Sequence, residues 1–283
     1  MDPDTLIELT GVANYAAAAS QLDRLTRSLY EIEQNNLIGV YLHGSLAMRC
    51  FNPASSDLDI LVLLAGAPAA DHRRRWAEAL LHVSGAPAPI EISFLHRSQY
   101  TPWLYPTPYD FHFSEGWRER VEGQLLAGDE SAWAGATGAD VDLAAHFTVA
   151  RRRGVRLYGE AIEAAMPHVP WAHYCDSISR DIVWACERAA DNPVYLVLNC
   201  CRVWATLAAG AAEQLVLSKA EGVAWALPRL PAAPAAVVAQ AAAIYAGQAP
   251  QQTGGQGGAT LNAASALETA RWICVQMGLA LEE

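Results

Sequence analysis

The stretch His43 to Leu64, HGSLAMRCFNPASSDLDILVLL, constrains the fold more than any other part of the chain. One apolar run, Leu37 to Leu42, ends at His43-Gly44-Ser45. A second, Leu58 to Leu64, begins beside Asp57 and carries Asp59 within it. Both runs are short and bounded by turn residues, so each predicts a buried strand. Residues i and i+2 of a strand face one side, which projects the two carboxylates together, roughly 6–7 Å apart at Cα. Paired ionised carboxylates repel, and each pushes the other toward its neutral form. A divalent cation removes that penalty, and Mg²⁺ binds through one or two carboxylates plus substrate phosphates. Gly44 permits close backbone approach, and Ser45 at the start of a short helix suits phosphate. Ser55 and Ser56 are placed to serve the same phosphates.

The rest of the chain divides into a mixed half and a helical half. Tyr15 to Gln34 has helical apolar spacing, and Asp71 is a candidate cap for a helix running to about Val83. Pro89 to Leu95 alternates, Ile90, Ile92 and Phe94 against Glu91 and Ser93, and predicts a third strand. Pro102 to Pro108 reads as a loop, Phe113 to Ala127 and Val141 to Arg152 as helices, and Gly154 to Gly159 as a joint. Helices are expected over 176–190, 194–209, 218–227, 234–246 and 261–279. Gly247 to Ala259, GQAPQQTGGQGGA, reads as a Gly/Gln-rich loop. The expected fold class is α+β. A small mixed sheet with helices occupies 1–159, and an α-helical bundle occupies 160–283.

Charge and composition narrow the function. A formal net charge of −11 argues against nucleic acid, whose phosphates need a basic surface. An acidic surface attracts cationic ligands instead. No unbroken apolar run suggests a membrane span, and Met1 to Thr10 has no basic segment of a signal peptide. The six cysteines show no C-x-x-C pair and read as reduced, largely buried thiols, so a cytoplasmic location is expected. Lys219 is the only lysine in the chain.

With G-S, an eleven-residue gap and D-h-D-h-h-h between two strands, the chain resembles the nucleotidyltransferase superfamily of DNA polymerase β type. That resemblance implies a third carboxylate on a later strand, and Glu91 stands at the matching position. Its role would be a third metal ligand beside Asp57 and Asp59, or the general base that takes the acceptor proton. Two-metal catalysis of an in-line displacement is the chemistry implied.

The helical half narrows the resemblance. Asn199 and Arg202 are i and i+3 on one helix face. Ser218 and Glu221 have capping-box spacing, which puts Lys219 in a helix's first turn. A cation is disfavoured there unless an anionic ligand joins it. The layout is similar to the aminoglycoside adenylyltransferases that modify streptomycin and spectinomycin. The similarity runs from about residue 30 to 247 through YDFHFSEGWRE, VARRRGVRLYG, the N-x-x-R-V-W helix, SKAEGVAWAL and AIYAG. It implies ATP as co-substrate, contacted by Arg202, Lys219 and Tyr245, with Gly44, Ser45 and Ser56 at the phosphates. It implies that Trp117 packs on the antibiotic, although Trp117 and Tyr245 also fit plain packing. The family's acids before the R-h-W helix fall on RAADNPVYL, where Asp191 is the candidate. Arg151 to Arg153 reads as a solvated face or a joint contact, and His43 as a strand-end hydrogen bonder.

The expectation is a monomeric, Mg²⁺-dependent enzyme that moves AMP from ATP to a hydroxyl of an aminoglycoside or aminocyclitol. The alternatives are the same chemistry on another small alcohol or a protein, or a non-catalytic nucleotide-binding module.

Overall fold

The structure is a computed structural model that describes residues 15–69, 71–128, 133, 138–248 and 260–279. The N-terminal decapeptide and most of the Gly/Gln-rich segment read above lie outside the described residues. The chain forms two compact units, Met1–Pro170 and Trp171–Glu283.

The first unit is built on a five-stranded mixed sheet. Its strands are β1 (Leu37–His43), β2 (Leu58–Leu64), β3 (Ile90–His96), β5 (Phe111–Phe113) and β7 (Val155–Gly159), in the order β5-β3-β2-β1-β7. A separate two-stranded ribbon pairs β4 (Thr107–Tyr109) with β6 (Gly138–Asp140). β2 and β3 are parallel, and the other neighbours in the main sheet are antiparallel. Helices α1 (Ala16–Glu33) and α3 (His72–Val83) supply the apolar cluster on one face, with Val40, Leu42, Ile60, Val62, Ile92 and Phe94 from the sheet. Three helices, α4 (Arg97–Tyr100), α6 (Leu143–Arg153) and α7 (Ile162–Ala165), supply the cluster on the other face with Tyr41, Leu61, Leu63 and Leu95. Coverage of both faces explains why β2 reads as a continuous apolar run rather than an alternating one. A four-residue α2 (Gly44–Ala47) follows β1, as the Gly-Ser turn predicts.

Two elements differ from the sequence reading. Val155–Gly159 is the edge strand β7, not a joint, and its backbone pairs with β1. The unit ends after Pro170 because α7 and Met166 still pack beneath the sheet. Phe113 ends β5 instead of starting a helix; a 3-10 turn (Glu115–Trp117) intervenes before α5 (Arg118–Ala127). Arg151 is a joint contact of this unit. It donates to the carbonyls of Met166 at 2.6 Å and Glu163 at 3.2 Å.

The second unit is helical: α8 (Trp171–Glu187), α9 (Pro193–Glu213), α10 (Lys219–Ala226), α11 (Ala232–Tyr245) and α12 (Ala263–Met277). Asn192 caps α9 by accepting from the Tyr195 N–H at 3.0 Å, with Pro193 at the first helical position. Regular α9 geometry breaks at Gly210, which has φ 74°. By length and hydropathy alone α9 could cross a membrane, yet 56% of its apolar window is buried inside the protein. Its sequence escapes a simple run count because Asn199 and Arg202 interrupt it. The six cysteines are all free thiols, three of them buried.

Candidate active site

The carboxylates of the first unit are organised by strand register. β2 and β3 pair Asp59 with Glu91, and β1 and β2 pair His43 with Asp59. His43, Asp59 and Glu91 therefore stand in a row across three neighbouring strands. Leu58 and Ile60 point into the α1–α3 core, so Asp59 takes the opposite face, the one α6 covers. Asp57 sits one residue before β2 and is exposed, while Asp59 and Glu91 are half-buried.

Gly44 explains how α2 reaches this row. Its φ of +66° suits glycine, and a Cβ there would lie 1.8 Å from Asp59 Oδ2. Backbone thus rests directly on the carboxylate. The Ser45 hydroxyl and His43 Nε2 are buried without a hydrogen-bond partner. His43 is therefore not the strand-end bonder its sequence position suggests, at least through Nε2. Ser56 is buried, and its hydroxyl accepts the Asn52 N–H at 3.1 Å, which closes the loop ahead of Asp57.

Two imidazoles that the sequence reading missed, His146 and His112, stand near Glu91, and His146 also meets the His43 ring. His146 of α6 brings Nε2 to 3.9 Å from Glu91 Oε1, and its ring lies 4.9 Å from that of His43. His112 of β5 meets the Ser93 hydroxyl at 3.0 Å. Burial, then the neighbouring His146, holds His43 well below the ordinary histidine range. Burial also lowers His112, against the opposing field of Glu91. For His146 burial pulls downward too, but Glu91, Asp142, Asp140 and Asp59 together carry it above the ordinary value. The available signal was a histidine inside the apolar stripe Leu143, Phe147, Ala150.

Oxygen donors of Asp57, Asp59 and Glu91, with an unsatisfied buried serine hydroxyl beside them, suit a hard cation such as Mg²⁺. Among the described residues no three His, Cys, Asp or Glu converge to hold an ion unaided. Such a cation would complete its shell from phosphate and water.

Trp117 lies in the 3-10 turn, edge-on to His112 at 5.4 Å, with the Arg120 guanidinium 4.7 Å above its ring. It packs partly on the core and partly lines a recess with His112, Phe111 and Gln124.

In the second unit, Ser218 and Glu221 form the expected capping box, with bonds of 2.7 and 3.2 Å, and Lys219 starts α10. Lys219 Nζ lies 5.1 Å from the Tyr195 ring and 4.9 Å from the Tyr245 ring. Asn199 and Arg202 share a face of α9, and Arg202 Nη2 donates to Asn199 Oδ1. Gly222 lets α10 approach at that point; a Cβ there would lie 2.7 Å from Arg202 Cα. Asp191 is exposed in the turn between α8 and α9. Asp181 of α8 contacts this cluster, accepting from Tyr195 and Asn199. Its place beside buried Ser177, Ile178, Ile182 and Ala185 on one helix stripe was the signal in the sequence.

Residues 165–269 match the family model described as aminoglycoside adenylyltransferase, C-terminal domain. A spectinomycin 9-adenylyltransferase of Staphylococcus aureus is 28% identical over 204 residues, covering 70% of this chain and 73% of its own length. An aminoglycoside (3'') (9) adenylyltransferase of Escherichia coli is 27% identical over 241 residues, covering 82% and 87%. The crystal structure of a spectinomycin adenylyltransferase of Enterococcus faecalis with ATP and spectinomycin superimposes with a TM-score of 0.72 at 20% identity. That superposition spans 92% of this chain and 98% of the other, and it shows a shared fold. The resemblance to the aminoglycoside adenylyltransferases is thereby borne out, residues 165–269 match the model of that family's C-terminal domain, and the chain is a nucleotidyltransferase.

Proposed function

We propose that the protein transfers AMP from ATP to a hydroxyl of an aminocyclitol antibiotic of the spectinomycin or streptomycin type and releases pyrophosphate. The in-register row of His43, Asp59 and Glu91 carries this reading. It places two carboxylates side by side on a sheet face, with Asp57 at its entrance and backbone packed against one of them. Mg²⁺, held by Asp57 and Asp59 with Glu91 beside them, would neutralise phosphate charge and polarise the α-phosphoryl group. The acceptor hydroxyl oxygen bonds to the α-phosphorus as the bond to the β-phosphate's bridging oxygen breaks. The hydroxyl proton passes to Glu91, and the electron pair of the broken bond leaves with pyrophosphate. Ser45 offers its buried hydroxyl to phosphate, and Gly44 leaves room for the approach. Arg202 and Lys219 are the cations assigned to the nucleotide in the second unit, with Tyr245 as an aromatic wall.

The net charge of −11 favours a cationic acceptor over a nucleic acid. Asp191, as an acid, and the Trp117 face, as an aromatic surface, are the candidates for the antibiotic. The enzyme is expected to work as a cytoplasmic monomer.

The test is incubation with ATP, Mg²⁺ and each of spectinomycin and streptomycin, with product read by mass spectrometry and pyrophosphate by a coupled assay. An adenylylated antibiotic with stoichiometric pyrophosphate is expected. Magnesium-dependent ATP turnover without modification of either antibiotic would sink the acceptor assignment. It would leave another alcohol or a protein as the acceptor.

A further inference from the structure

We propose that Asp181 is a positioning residue that sets both cations of the second unit through two different neutral intermediaries. The proposal rests on the reading of Arg202 and Lys219 as nucleotide ligands.

The first arm runs through an amide. A carboxylate only accepts hydrogen bonds, so Asn199 must turn its Nδ2 toward Asp181. The same rotation leaves Asn199 Oδ1 facing Arg202 Nη2, and the contact is present. Asn199 is fully buried, so the wrong amide orientation would set donor against donor where water cannot compensate. Asp181 therefore fixes the polarity of a relay that ends at the guanidinium.

The second arm runs through a phenol. Tyr195 donates its hydroxyl to Asp181, with contacts of 2.9 and 3.0 Å to the two carboxylate oxygens. That bond fixes the ring whose centroid lies 5.1 Å from Lys219 Nζ, which also stands 4.9 Å from the Tyr245 ring. An ammonium beside two aromatic rings is oriented by their faces. Both cations are thus ordered by one acid that reaches them through neutral groups.

The test uses the full chain and Mg–ATP, with affinity read by calorimetry and folding by thermal melting. Arg202→Ala and Lys219→Ala are each expected to weaken ATP by at least about tenfold. If neither does, the nucleotide reading of this cluster fails, whatever Asp181 does. With those losses in hand, Asp181→Asn is expected to weaken ATP about tenfold, because its amide no longer dictates the Asn199 orientation.

The exchange Asp181→Asn with Asn199→Asp restores a donor facing an acceptor at both contacts. It is expected to bring affinity back to within about threefold of the native chain. Tyr195→Phe loses only the lysine arm, and Asn199→Asp should not rescue it. A merely structural acid would give no rescue by exchanged polarity. Native affinity in Asp181→Asn, or an exchanged pair that binds no better than Asp181→Asn alone, would overturn the proposal. If Asp181→Asn fails to fold, the exchanged pair decides alone, by recovering or not recovering both melting and binding.

Discussion

Gly222→Ala tests the packing that sets Lys219 beside Arg202. A Cβ at 222 would stand 2.7 Å from Arg202 Cα, 2.8 Å from its N and 3.1 Å from its Cβ. Two of those atoms are backbone, so a rotamer change cannot relieve the contact. Carbon atoms rest at about 3.5–4.0 Å, so α10 and α9 must part by roughly 1 Å. Overpacking of that kind costs about 1–3 kcal/mol, while alanine in a helix returns about 1 kcal/mol over glycine. The net loss of stability is therefore small, about 0–2 kcal/mol. The functional loss is larger, because misplacing a binding group by about 1 Å can cost about 10²-fold. Calorimetry with Mg–ATP, beside thermal melting, separates the two. We expect a modest melting shift and at least about a tenfold loss of affinity. ATP affinity equal to the native chain's would refute the reasoning, since it would mean that the crossing does not set the cation pair.

Three further outcomes are expected. Gly44→Ala forces a side chain into a φ of +66° and onto the Asp59 carboxylate, so transfer should fall at least tenfold, by about 1.4 kcal/mol or more, as read by pyrophosphate release. Asp110→Ala leaves Arg73 without the buried carboxylate 3.0 Å away and also strips a partner from His96. Urea unfolding should show a loss of about 3–5 kcal/mol. Tyr100 is buried with its hydroxyl unsatisfied, and burial, moderated by Arg97, pushes its pKa up to about 12. The unfolded chain releases that proton from about pH 10 while the folded chain keeps it, so stability falls as pH rises across that window. Tyr100→Phe should flatten the fall by about 2–3 kcal/mol in unfolding measured between pH 9 and 12.

The sheet was legible where hydrophobic period and length agreed. Leu58 to Leu64 reads as a strand from its continuous apolar run, and the structure keeps those bounds. The closeness of Asp59 to Glu91 is a register fact. It becomes readable only once β2 and β3 are paired in parallel, a choice the motif implies and the periodicity does not. β5 and β7 were harder. Phe111–Phe113 is too short for alternation to outweigh the helical pattern after it, and the glycines flanking Val155–Gly159 mimic a joint. What local pattern cannot supply is tertiary partnership. Asp181, His146 and Gly222 each look ordinary on their own helices. Their meaning comes from Asn199, Glu91 and Arg202 on other elements. The capping box at Ser218 was legible in full because its partners are three residues apart.

The account stands or falls on Glu91 acting in the transfer step and not merely in folding or ATP binding. Measuring adenylyl transfer and Mg–ATP affinity on the same Glu91→Gln preparation tests this directly. We predict ATP affinity within about threefold of native and transfer reduced by about 10²–10⁴-fold, the range for loss of a general base. Transfer at the native rate would contradict the assignment of this row of residues as the catalytic centre.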